Sequence, residues 1–201
     1  MARAPQTAAR RLSGGERRAQ LVALGIDLFA EHGYHGLSME QLADAAGVSK
    51  PVLYQHFPSK RDLYLAIVHD AVAELDRRVR GALAGTTSNR DRVQGAIYAY
   101  FDFVEDRRFR LLFSTAELTD EGVRNAIEGA MATVAQAVAG LIAEDAALSP
   151  RAALFLACGL RGLAMDGARW WVEQDEVDKD EAVRLLSRLA WRGLGSFGPA
   201  D

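Results

Sequence analysis

Apolar residues recur along this 201-residue chain at intervals of three and four, the spacing of helices that bury one face. No run shows the strict alternation with β-branched enrichment that a strand requires. Ser13-Gly14-Gly15-Glu16 is a capping-box pattern; the helix it opens carries Leu21, Leu24, Leu28 and Phe29 on one face and ends at Gly33. A second box, Ser38-Met39-Glu40-Gln41, opens a short helix that stops at Gly47. Ser49 caps a third helix, with Pro51 in its first turn, where the missing N–H costs nothing. Ser59-Lys60-Arg61-Asp62 starts a long fourth helix reaching Leu83. After a loop over 86–89, helices are expected over 91–105, 107–114 and 119–144. Another follows the Ser149-Pro150 cap to Gln174, and the last spans 179–195. The prediction is an all-α protein of about nine helices.

The second and third helices are joined by Ala45-Ala46-Gly47-Val48-Ser49, the arrangement of a helix-turn-helix. Small Ala43 and Ala46 let the helices cross closely, and Gly47 can take the left-handed conformation that ends the first of them. Val48, Leu53 and Phe57 are expected to face a three-helix core with Leu28 and Leu42. Lys50, Pro51, Val52, Tyr54, Gln55 and His56 are then left largely outside. An outward tyrosine beside lysine, glutamine and histidine suits a groove lined with phosphates, because each can donate to phosphate or to a base edge. The same spacing also fits a helical hairpin of no special purpose.

Charge sharpens that reading. The net charge is −3, yet residues 1–62 hold eight Lys/Arg against six Asp/Glu, and residues 63–201 hold sixteen against twenty-one. Arg3, Arg10, Arg11, Arg17 and Arg18 face a single acid, Glu16, at the start of the chain. A basic end on an acidic body suits a chain that places that end on a polyanion, although a solvated tail has the same composition. The lone Cys158 excludes an internal disulfide and points to a reducing compartment; its apolar neighbours suggest that it is packed. No stretch reads as a membrane span or as a secretory signal, so a cytoplasmic protein is expected. His32 and His35 lack a third ligand nearby in sequence, and no metal or cofactor is expected.

The segment Leu42-Ala43-Asp44-Ala45-Ala46-Gly47-Val48-Ser49-Lys50-Pro51-Val52-Leu53-Tyr54-Gln55-His56-Phe57-Pro58-Ser59-Lys60 resembles the DNA-binding signature of the TetR family of transcriptional regulators. Leu28-Phe29-Ala30-Glu31-His32-Gly33-Tyr34, followed by Ser38, is similar to that family's first helix and turn. The resemblance implies an arm and DNA-binding domain over 1–62 and an effector-binding, dimerising domain over 63–201. It implies that Ser38, Tyr54, His56 and Lys60 hold backbone phosphates, with Ser49 serving as cap and phosphate contact. Lys50, Pro51 and Gln55 would reach base edges: lysine to guanine, glutamine to adenine, the proline ring to a thymine methyl. The basic tail would lie in a minor groove or along the backbone.

A single recognition helix reads too few base pairs, so a two-fold homodimer on a palindromic operator is expected. By resemblance, its seam is a four-helix interface. Leu156, Leu160, Leu163 and Ala164, with Gly159, Gly162 and Gly167, would supply one side, and Leu185, Leu186, Leu189, Trp191 and Leu194 the other. Tyr98, Phe101, Phe103, Phe109, Phe113, Met131, Phe155, Met165 and Trp170 are ordinary core candidates by spacing alone. The family likeness makes them an effector-pocket lining, with Tyr98, Asp166 and Arg169 as polar members. Thr86-Thr87-Ser88-Asn89-Arg90, Phe101-Asp102-Phe103 and Asp166-Gly167-Ala168-Arg169-Trp170-Trp171 are similar to actinobacterial TetR-type regulators of fatty-acid synthesis. That narrower likeness implies a long-chain acyl-CoA effector. An enzyme is disfavoured, since no nucleophile elbow, P-loop or metal cluster is present. The remaining alternative is a helical carrier or interaction protein without DNA affinity.

Overall fold

The computed structural model describes residues 12–106, 108, 121–174 and 176–194. Among them are eight helices and no strand: α1 Gly14–His32, α2 Met39–Ala45, α3 Lys50–His56, α4 Lys60–Ala84, α5 Asn89–Val104, α6 Glu121–Asp145, α7 Pro150–Gln174 and α8 Lys179–Leu194. The separate helix expected over 107–114 lies outside the described residues, except for helical Arg108. The chain divides into two compact units, Met1–Tyr64 and Leu65–Asp201, and the division falls inside α4.

In the first unit the predicted start signals operate. Ser13 and Glu16 form a reciprocal capping box on α1, and Ser38 and Gln41 form one on α2. Each satisfies two amides that a helix start leaves unbonded. Ser49 departs from expectation: it holds the N-cap position of α3, but its hydroxyl makes no capping hydrogen bond. Pro51, in the first turn, brings no N–H of its own to be satisfied there. Gly33 and Gly47 lie at φ 69° and 62°, and these left-handed turns stop α1 and separate α2 from α3. Leu21, Val22, Ile26, Phe29, Leu42, Ala43, Leu53 and Phe57 form the buried core. An aromatic group of Phe29, Tyr34 and Tyr64 closes it, with the Phe29 and Tyr64 rings edge-on at 5.4 Å.

In the second unit α6 runs along α7, α5 packs on α7 and α8, and α7 meets α8. Ala135 and Ala139 of α6 bury against Ala153 and Ala157 of α7, small side chains that let the two helices approach closely. By length and composition α6 would suit a membrane span, a feature the sequence reading missed. Here one side of it is buried in the protein core through Val123, Ile127, Met131 and Val134. Gly167 packs the two last helices of one chain together, since a Cβ there would collide with Leu186. Of the glycines expected to allow close approach in a seam between subunits, it does so between two helices of one chain. Gly159 and Gly162 face open space. Trp171 packs against Phe101 with the rings tilted and 5.3 Å apart, and donates its indole N–H to the Val177 carbonyl at 2.6 Å, which fixes the turn into α8.

A Cβ on Gly47 would meet nothing within 4 Å, so only backbone strain opposes a side chain there. Gly47→Ala should therefore cost about 1–2 kcal/mol, read as a lower midpoint in urea unfolding followed by circular dichroism. An unchanged midpoint would show that the turn tolerates a side chain.

Candidate functional site

The first candidate surface is the outer side of α3. Leu53 and, just past the helix, Phe57 are fully buried, and they fix which way the seven-residue helix faces. Lys50, Pro51, Tyr54 and Gln55 are consequently exposed, Tyr54 at 47%, while Val52 and His56 are half-buried. Ser49 is exposed, with a hydroxyl its own helix does not use. Ser38 is exposed at the start of α2, where its Oγ accepts from the Gln41 amide at 3.2 Å. The hydroxyl proton remains free to donate outward.

Two basic groups behave differently from expectation. Lys60 does not extend toward solvent. Its ammonium donates to the carbonyls of Tyr34 and Leu37 at 2.9 and 2.8 Å and lies 4.4 Å from the centre of the Tyr34 ring. The α1–α2 connection leaves those carbonyls without helical partners, and a three-donor ammonium satisfies two of them. Two of its three donors are thus engaged inside the protein. Lys50 is exposed but paired with Glu40 of α2 at 2.6 Å, and that hydrogen bond raises its pKa above the ordinary lysine value. Arg18 of α1 lies over the Phe57 ring at 4.7 Å.

The second candidate is a cavity of about 340 Å³ in the second unit. Its walls come from one face of α5 (Val93, Ala96, Ile97 and Tyr100 among others), from α6, and from Leu156, Ala157, Leu160 and Ala164 of α7, with Leu83 of α4 and Trp191 of α8. They are chiefly apolar, as ligand cavities are. Asn89, Arg92, Tyr100, Asp145 and Arg161 add polar groups. Burial pushes the Tyr100 hydroxyl up to about 12, against a smaller downward pull from Arg161, so it is a neutral donor at physiological pH.

None of the expected effector residues that the structure describes lines this cavity. Phe101 and Phe103 are fully buried in core, and Met131 is buried. Met165 is half-buried, and Tyr98 lies exposed beneath the Lys179 ammonium at 5.0 Å. Phe155 and Trp170 are exposed at 76% and 52%, and exposed Arg169 pairs with Glu173 at 3.8 Å. Phe109 and Phe113 lie outside the described residues. Conversely, Leu156, Leu160, Ala164 and Trp191, expected in a subunit seam, line the cavity. On α7 the lining residues Leu156 and Ala164 stand one position from the expected Phe155 and Met165, about 100° of rotation on a helix. The run Leu154-Phe155-Leu156-Ala157 is apolar all round, so periodicity cannot choose its inner face. On α5 the signal was present: positions 89, 92, 93, 96, 97 and 100 form a single stripe at helical spacing. Cys158 follows the same rotation and is exposed rather than packed.

The family model for bacterial regulatory proteins of the tetR family matches residues 21–67, the span from α1 through α3 into α4. The chain is 42% identical over 187 residues to the HTH-type transcriptional activator FasR of Mycolicibacterium smegmatis, covering 92% of this chain and 85% of that protein. A TetR/AcrR-family regulator from Thermobifida fusca superposes with a TM-score of 0.68 at 25% identity, covering 88% of this chain and 97% of that one. The transcriptional regulator FadR from Bacillus subtilis, solved in complex with stearoyl-CoA, shares the fold with a TM-score of 0.71 at 17% identity, over 86% of this chain and 96% of that one. With the outward α3 face on a helix-turn-helix and a relative matched along nearly its whole length, this chain belongs to the TetR family of DNA-binding transcriptional regulators.

Proposed function

We propose that this regulator binds a palindromic operator as a homodimer and that an aliphatic effector, a long-chain acyl-CoA, sets its affinity. The observation that carries the DNA side is the exposed face of α3. Lys50, Pro51 and Gln55 read base edges there, while Ser38, Ser49, Tyr54 and His56 hold phosphates. Lys60 supports the surface from within and is not a phosphate ligand in this reading.

The dimer seam is the apolar stripe that the single chain leaves uncovered: Phe155 and Trp170 on α7, and Leu185 and Leu189 on α8, the last at 62% exposure. Exposed apolar side chains clustered on two adjacent helices mark an interaction surface. Two such helices from each copy make a four-helix contact.

The effector reading rests on the cavity. Its volume is at the small end of the range for ligand pockets, roughly 300–1,000 Å³. A long acyl chain therefore enters fully only by pushing the walls apart. One of those walls is Leu83, near the end of α4, and α4 begins at Lys60 in the DNA-binding unit. The displacement reaches the heads along that helix and changes the separation of the two α3 helices. A coupling of about 1–3 kcal/mol is enough for regulation. The stearoyl-CoA held by the Bacillus subtilis neighbour supports an acyl thioester as ligand. Acting on chromosomal DNA, the protein works in the cytoplasm.

Lys50→Ala should weaken operator binding in fluorescence anisotropy by about 1–3 kcal/mol and relax the preference for guanine at the base it reads, while the slope of log K against log salt changes little. Lys60→Met should instead lower the unfolding midpoint and leave that slope unchanged. Unchanged affinity and unchanged specificity in Lys50→Ala would overturn the assignment of α3, and salt-insensitive binding by the wild type would favour a carrier without DNA function. Leu189→Glu should convert the dimer to monomer in sedimentation velocity; a persistent dimer would place the seam elsewhere. Native mass spectrometry with acyl-CoAs of graded length should show a retained acyl-CoA mass, and no gain at any length would remove the acyl-CoA reading.

A further inference from the structure

The polar groups of the cavity are not equally satisfied. At one end, the Arg92 guanidinium donates to the carbonyls of Leu83 and Thr86 at 3.1 and 3.0 Å and to Asn89 Oδ1 at 3.0 Å, with Asp145 at 3.9 Å. That arginine is committed to holding the α4–α5 turn. Arg161, on the cavity-lining face of α7, is not committed. Its Nε is buried and has no hydrogen-bond partner, and no carboxylate pairs with its guanidinium among the described residues. The lining therefore holds two arginines against one acid, Asp145, which lies beside Arg92. A buried donor left unpaired is costly, and a charged one more so.

Tyr100 on α5 lines the same cavity, and Arg161 lies close enough to influence the ionisation of its hydroxyl. Burial keeps that hydroxyl protonated, so at neutral pH the tyrosine can donate a hydrogen bond, and the guanidinium can only donate.

The geometry points to Arg161 and Tyr100 as the headgroup anchor of the cavity, a donor pair that selects aliphatic ligands ending in acyl oxygens. This rests on the proposal that the cavity holds the effector, and it adds how one ligand class is chosen there. The apolar walls accept any chain of suitable bulk. The unmatched guanidinium favours an end that brings negative charge or a strong acceptor, and the neutral tyrosine supplies a second hydrogen bond. A carboxylate meets both demands, and a thioester carbonyl meets the hydrogen-bonding one. An alcohol of the same length brings no charge.

Dodecanoate, dodecanoyl-CoA and dodecanol, titrated calorimetrically into the full chain, separate these cases. Arg161→Met should weaken dodecanoate by about tenfold or more and leave dodecanol within about threefold. Arg161→Lys, which keeps the charge, should recover part of the loss. Tyr100→Phe removes one oxygen and keeps the buried ring; it should weaken dodecanoate several-fold and leave dodecanol unchanged. Loss of dodecanoyl-CoA affinity in parallel with dodecanoate would assign the anchor to acyl oxygens from either source. Loss confined to dodecanoate would assign it to a free carboxylate. The anchor is refuted if all three ligands weaken alike, the mark of a structural role, or if both variants bind dodecanoate as wild type does. Failure of wild type to bind any of the three would instead remove the ligand cavity itself, and the anchor with it.

Discussion

The DNA-facing surface depends on the burial of two side chains, Leu53 and Phe57. A seven-residue helix has no stability of its own in water, because forming its first turn costs more than so few hydrogen bonds return. α3 therefore exists, and points as it does, because tertiary packing holds those two residues. Every exposed position on it follows from that anchorage, as does the orphan hydroxyl of Ser49. The left-handed Gly47 supplies the sharp turn that lets so short an element reach the core.

The first unit was legible in the sequence because its signals are local. Capping boxes, a turn glycine and a proline in the first turn each act within four residues, and each operates in the structure. What stayed hidden there was non-local: nothing in the chain announces that the Tyr34 and Leu37 carbonyls lack partners, so the use of Lys60 could not be read. In the second unit the helices were legible but their inner faces were not. Along α7, alanines and glycines alternate with large apolar side chains on every side, and the choice of core is made by the partner helices. The small residues Ala153, Ala157, Ala164 and Ala168 are buried, because close helix approach favours them, and Trp171 is the one large side chain buried with them. The bulky Phe155 and Trp170 are turned outward. A reader who equates size with burial inverts the helix.

The same inversion explains the cavity. Its lining joins small alanines, Ala135 and Ala157 among them, to leucines, with Tyr100 and Arg161 as polar members. The polar content of that space divides into a structural arginine, Arg92, bound to the turn it stabilises, and Arg161, whose Nε is buried without a hydrogen-bond partner among the described residues. Composition alone could not separate them, since both are arginines on helices. Only the inventory of their partners does so.

Lys50 and Glu40 form an ion pair across the helix-turn-helix, both side chains in solvent. Any duplex that takes the lysine has to take it from that acid, and the carboxylate left behind then faces a polyanion. In the free protein the ammonium is thus held between α2 and α3, so any new acceptor for it competes with a charge already in place.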